Sequence, residues 1–111
     1  MTCSVKEEDF QRQVIDLAHV FGWSVAHFRP AMTKHGWRTA VAGDGVGFPD
    51  CVLVKPPRLL FAELKSEKGQ LSAEQYFWLQ GLVKCGQEVY LWKPSEFEEI
   101  TEILQSKSKQ E

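Results

Sequence analysis

Phe10, Val14, Leu17, Ala18 and Phe21 recur at helical spacing, with Ser4 placed to cap the segment and Gly22 to end it, so the pattern predicts a first helix between them. The next residues, WSVAHF, alternate as a short strand does. Two further runs, DCVLVK and LLFAELK, are apolar at alternate and intervening positions alike. That predicts strands of a sheet covered on both faces, joined as a hairpin through Pro56-Pro57. After the polar turn SEKGQ, Ser72 stands to cap a second helix, with Tyr76, Leu79 and Val83 on one side and Gly86 past its end. EVYLWK reads as a further strand, and Ser95 opens a last helix running to about Gln105. Only the stretch from Arg29 to Gly47 lacks periodicity; its glycines after Ala42 predict a long loop, of a length that is usually functional or mobile. The order helix, strand, loop, hairpin, helix, strand, helix predicts an α/β class fold, a mixed β-sheet flanked by helices.

The 111 residues are the length of one domain, expected over residues 1–105, and the tail SKSKQE from Ser106 reads as disordered. Cys3, Cys51 and Cys85 form no CxxC pair and have no histidine at metal spacing. Neither a disulfide framework nor a zinc knuckle is expected, and a reducing cytoplasmic setting is. There is no signal peptide and no apolar run long enough to span a bilayer, so no membrane partner is expected.

Charge changes the picture more. The formal balance of −2 argues at face value against a nucleic-acid partner. Its distribution reverses that argument. No carboxylate falls between Leu17 and Gly43, a stretch holding Arg29, Lys34, Arg38, His19, His27 and His35, whereas Glu96, Glu98, Glu99 and Glu102 crowd the last helix. Arg29, Lys34, His35 and Arg38 are therefore candidates for neutralising phosphates, with Trp37 as a stacking or wedging surface. A solvated loop with Trp37 tucked into the core is the plain alternative. The histidine spacings place them on no common local face, so they suggest no metal cluster, and Trp78, Tyr90 and Trp92 are expected in the core.

The hairpin carries the candidate chemistry. A turn centred between Pro56 and Pro57 sets opposite each other residues whose numbers sum to 113, which brings Asp50 opposite Glu63. Lys65 shares a face with Glu63, because strand side chains repeat every second residue. Two hard carboxylates at one corner repel unless a cation lies between them, and with backbone and water oxygens they suit Mg²⁺ or Mn²⁺. An adjacent ammonium can orient an attacking water and offset charge in the transition state. Together these fit metal-assisted hydrolysis of a phosphodiester. An E-x-K pair alone would mean little, and Asp50 alone could end a turn; the combination at one corner carries the reading. The register has one weak point, since proline cannot supply the positive φ of the tightest hairpin turns.

The succession G-x-P-D (Gly47 to Asp50), A-E-L-K (Ala62 to Lys65) and G-Q-L-S-x-x-Q (Gly69 to Gln75), with a Glu-rich first helix and a closing G-x-E-V-Y-L-W, resembles the VRR-NUC branch of the PD-(D/E)xK nuclease superfamily. The resemblance implies a restriction-endonuclease-like core and divalent-metal-dependent cleavage of DNA. For stand-alone members of viral or bacterial type it implies homodimers acting on branched DNA such as four-way junctions, in replication, recombination or repair. It makes Asp50 and Glu63 metal ligands, the backbone carbonyl of Leu64 a further ligand and Lys65 the catalytic lysine, with Gln75 beside the site. The family's first-helix glutamate falls on Glu7 or Glu8; Glu7 is preferred because Phe10 and Val14 share its side of the helix. Both Ser4-x-x-Glu7 and Ser72-x-x-Gln75 also read as capping boxes. No small-molecule cofactor is expected. Two other functions remain open on the sequence: a non-cleaving DNA- or protein-binding module on a nuclease fold, and an RNA-processing nuclease.

Overall fold

A computed structural model of the chain describes residues 6–29, 31–38 and 40–107. Its elements are α1 (Glu7–Val20), β1 (Ser24–His27), β2 (Ala31–Thr33), β3 (Gly36–Arg38), β4 (Cys51–Lys55), β5 (Arg58–Leu64), α2 (Ala73–Lys84), β6 (Glu88–Trp92), a 3₁₀ turn at Pro94–Glu96, and α3 (Phe97–Gln105). Four strands form one sheet in the order β1-β4-β5-β6. The first three pair antiparallel, and β6 joins β5 in parallel after the α2 crossover. The mixed sheet flanked by helices is the predicted fold class.

The hairpin register is the one expected: Cys51 faces Ala62 and Lys55 faces Arg58. The turn has two residues, Pro56 and Pro57, joined by a cis peptide bond, and neither has a positive φ. Alternation along β4 and β5 then sorts the side chains. Leu53, Leu60, Ala62 and Leu64 face α1 and α3 and are fully buried with Phe10, Val14, Ala18, Ile100 and Leu104. Each large apolar side chain among them contributes about 1.5–3 kcal/mol.

The opposite face is less covered than the sequence suggested. Phe61 packs under Phe48, which in turn meets Trp78 of α2, both edge-on with ring centres 6.1 and 5.2 Å apart. Toward the turn, Val54 and Leu59 stay about two-fifths exposed, because α2 lies over β6 and leaves them bare.

Four other expectations change. The stretch from Arg29 to Gly47 is not all loop: β2 and β3 pair antiparallel, with Met32 opposite Trp37, in a small hairpin apart from the main sheet. Helix α1 starts at Glu7 after Lys6, which gives no side-chain cap, and Ser4, the expected cap, lies outside the described residues. Helix α2 buries Leu79 and half-buries Gln75, Trp78 and Leu82, while Tyr76 and Val83 point to solvent. Trp92 is core, but Tyr90 and Trp78 are only half-buried.

The end of the last helix is held by a buried arginine. Arg58, buried at the start of β5, donates to the carbonyls of Ile103 and Ser106 at 2.8 Å each, pairs with Glu88 and lies 4.9 Å over the ring of Trp23. Ser106 is thus tied to the fold, and residues 108–111 lie outside the described part. No helix among the described residues is long and apolar enough to cross a membrane.

Candidate active site

Gly47 explains the first motif. Its φ is +89°, and a Cβ there would come within 2.6 Å of Glu74 and 2.8 Å of the Gln75 nitrogen, so only glycine lets this segment pass against the first turn of α2. Pro49, fully buried, follows and delivers Asp50 to the mouth of β4. The Asp50 carbonyl accepts from the Phe28 N–H at 2.8 Å, and its Oδ2 accepts from the Leu64 N–H at 2.9 Å. One backbone contact and one side-chain contact therefore bind Asp50 to both neighbouring strands.

Glu63 sits on β5, 1% exposed. Its Oε2 accepts from Gln75 Nε2 at 3.2 Å and lies 3.9 Å from Lys65 Nζ. Its Oε1 is buried and accepts no hydrogen bond. Burial first, and the charge of Asp50 second, push the Glu63 carboxyl up to about 8, with Lys65 offsetting only part of this. The pair is therefore short of positive charge, and one carboxyl holds its proton at neutral pH, shared toward its neighbour. Two hard carboxylates so placed fit a divalent cation, and Asp50 and Glu63 would hold it.

Gln75 makes contacts on both sides, with the helix cap and with Glu63. Its Oε1 accepts from the Ser72 N–H at 2.9 Å, and the Ser72 hydroxyl accepts from the Gln75 N–H at 3.1 Å, completing the capping box of α2. The same amide's NH₂ reaches Glu63. An amide has a donor and an acceptor end, so one residue both starts the helix and orients the buried carboxylate.

Asp50, Glu63, Lys65 and Gln75 line one cavity of about 580 Å³, and Glu7, Glu8, Gln11, His27, Arg29 and Trp37 stand around it. Glu7 and Glu8 are both exposed there, and the structure brings neither into contact with the carboxylate pair. Among the described residues no three of His, Cys, Asp and Glu are grouped to hold an ion by themselves. Two carboxylates with a backbone oxygen would leave the rest of a coordination sphere to water and substrate, as Mg²⁺ commonly has it. Cys51 offers no competing nucleophile: burial pushes its thiol up to about 12.

The basic segment gains a shape. Lys34 and His35 form the turn of the β2–β3 hairpin, Trp37 and Arg38 lie on β3, and all four are exposed; Arg29 stands exposed on the wall of the cavity that holds Asp50 and Glu63. Trp37 is 63% exposed, so the alternative that tucks it into the core is set aside.

Sequence reasoning passed over His27. It ends β1 opposite Cys51, one residue from Asp50 across the strand pair, with Nε2 buried and unpartnered. Burial lowers its pKa, Asp50 opposes that, and Arg29 reinforces it. The signal was available only through pairing, since nothing in the sequence states that β1 lies beside β4. Gln11 was equally invisible, one turn beyond Glu7 and Glu8 on the same helix.

The mixed sheet is thus an α/β scaffold that gathers Asp50, the buried Glu63 and Lys65 at one end of its two inner strands. The VRR-NUC domain family matches residues 8–95, most of the chain, and the protein belongs to that family. Among solved structures, Hjc of Archaeoglobus fulgidus, a Holliday junction resolvase from an archaeal hyperthermophile, is similar at 24% identity and a TM-score of 0.46. That likeness covers 77% of this chain and 66% of Hjc, so this chain spans just under two thirds of that one. A comparison with curated proteins gives no match.

Proposed function

We propose that this protein is an endonuclease that uses Mg²⁺ or Mn²⁺ to hydrolyse phosphodiester bonds of branched DNA, four-way junctions among them, as a homodimer serving replication, recombination or repair. The observation that carries this reading is the buried Glu63 carboxyl, pushed up to about 8 beside Asp50. Asp50, Glu63 and the Leu64 carbonyl would hold the cation, which when bound polarises the phosphoryl oxygen and makes water a competent nucleophile near neutral pH.

The chain's own residues do the rest. Asp50 is fixed by the Leu64 N–H, and Glu63 is fixed by Gln75, so both carboxylates are aimed before substrate arrives. Lys65, 15% exposed beside Glu63, presents its ammonium to the cavity, where it orients water and offsets charge developing on the phosphoryl group. Arg29 on the cavity wall and Lys34, His35 and Arg38 on the hairpin neutralise neighbouring phosphates. Glu7, with Glu8 beside it, faces the same cavity from α1 and serves the cation through water. The homodimer follows from size: each chain presents one catalytic corner, and paired cuts at a symmetric junction need two.

Purified protein incubated with Mg²⁺ or Mn²⁺ on linear, flap and four-way DNA, and on matched RNA, tests the reading. Cleavage of the four-way DNA, lost in Asp50→Ala and Glu63→Ala, is expected. Cleavage of RNA alone would make it an RNA-processing nuclease, and binding without products a non-cleaving module.

A further inference from the structure

Beside the catalytic cavity lies a second one of about 570 Å³, and the two share Phe28, Trp37, Asp50 and Gln75. Its character is different. Beyond the shared residues its walls carry Val41, Val46 and Phe48, with Arg38 the single cationic side chain. Four of these side chains are large, apolar and exposed in the free protein: Phe28 at 46%, Trp37 at 63%, Val41 at 47% and Val46 at 61%. Apolar surface gathered in one concavity marks a binding site more often than chance exposure does. The floor is rigid. Phe28 meets Phe48 edge-on at 5.9 Å, and Phe48 is itself held between Phe61 and Trp78.

We propose that this second cavity receives one unstacked nucleobase of the strand being cut, the base adjoining the phosphate held at Asp50, Glu63 and Lys65. The proposal rests on the nuclease reading above and names the feature of the substrate that the site selects. Its occupant is argued from continuity: the cavity shares Asp50 and Gln75 with the catalytic one, so a group attached to whatever sits at the catalytic corner can reach into it. A nucleotide has that geometry, a phosphate for the polar end and a flat apolar face for the aromatic end. Arg38 on the cavity wall and Arg29 on the catalytic side supply the charge a phosphate backbone needs. Pulling a base out of a duplex costs a few kcal/mol and costs least where the base is already unpaired. A nuclease that must fill this cavity before cutting therefore prefers branch points and bulges, without reading any sequence.

The test compares, in Mg²⁺, a duplex carrying one bulged thymidine with the same duplex bearing an abasic residue at that position. Binding is read by fluorescence anisotropy and cleavage by gel. Wild-type protein is expected to bind the base-containing duplex roughly 5- to 150-fold more tightly, the range that stacking of one base on aromatic side chains supplies. Phe28→Ala and Trp37→Ala should each lose much of that preference, with the loss confined to the base-containing duplex. Lys65→Ala should lose cleavage yet keep the preference. Equal affinity of wild-type protein for the two duplexes, or an equal loss on both in the aromatic variants, overturns the proposal. If Phe28→Ala instead changes the sedimentation of the protein and leaves the preference intact, the cavity is a contact between copies of the chain and the proposal fails. Cleavage without base preference sinks the cavity alone; base preference without cleavage by wild-type protein sinks the nuclease reading alone.

Discussion

Raising the pH of the metal-free protein from 5 to 8 should cost it stability through a single side chain. In the unfolded chain the Glu63 carboxyl ionises near its ordinary value of 4.5, whereas in the fold burial and Asp50 hold its proton until about 8. Across that window the unfolded state binds fewer protons than the native one, so the contribution is fully present below 4.5 and is lost as pH rises through 8. The slope is about 1.4 kcal/mol per pH unit, hence roughly 4 kcal/mol between pH 5 and 8. Against a total stability of about 5–15 kcal/mol, this is large enough to read directly. Urea unfolding of wild type and Glu63→Gln in chelator at pH 5, 6.5 and 8 isolates the effect to the Asp50–Glu63 pair, because the titrating groups outside it are common to both. The glutamine keeps the shape and carries no charge, so its advantage over wild type should widen by roughly 4 kcal/mol over that range.

Adding Mg²⁺ at pH 8 then separates a functional carboxylate from a merely misplaced one. A cation that binds only the folded state adds about 2.7 kcal/mol at a hundredfold excess over its dissociation constant. Wild type should gain this and Glu63→Gln should gain little. Parallel pH profiles for the two proteins would refute the account of Glu63, and equal stabilisation of both by Mg²⁺ would refute the assignment of the cation to this corner.

Three further outcomes are expected. Lys65→Ala should abolish cleavage while unfolding at the wild-type urea midpoint; undiminished Mg²⁺-dependent nicking would remove Lys65 from the mechanism. Gly47→Ala forces a side chain onto the backbone of α2 at a positive φ, so thermal unfolding should show a loss of about 1–3 kcal/mol, with cleavage falling because Asp50 and Gln75 move together. Arg58→Ala strands Glu88 as a buried unpaired charge, and denaturant unfolding should show a loss of about 3–5 kcal/mol; the double variant Arg58→Met, Glu88→Leu should recover most of it.

What the sequence made legible was whatever rests on short-range periodicity. The hairpin register followed from the strand pattern and the Pro56-Pro57 turn, and with it the meeting of Asp50, Glu63 and Lys65. What stayed hidden depends on pairings between segments far apart in the chain. His27 comes to the site because β1 pairs with β4, and Glu7 and Glu8 because α1 ends above that corner. The β2–β3 hairpin was hidden for another reason. Its strands are three residues each and paired only with one another, so there is no buried face to impose alternation. Helix α2 misled for a related cause: its main sheet contact is with β6, so Tyr76 and Val83 keep an apolar spacing but stay exposed.

The placement of charge ties these points together. Glu98, Glu99 and Glu102 lie exposed on α3, which packs with α1 against the Leu60, Ala62 and Leu64 side of the sheet. Glu63 alternates with those residues and faces the other way, toward Phe48 and α2. The net −2 is therefore divided between an outer helix that need never meet a phosphate and a buried pair short of positive charge. On the proposed function, a divalent cation at that pair would bring the formal sum to zero and place its charge where a phosphodiester would approach. The basic hairpin and Arg29 then present the remaining positive charge on the cavity side. Overall acidity thus coexists with a cationic approach to the site, because solvent and salt screen the distant glutamates while the buried corner is screened far less.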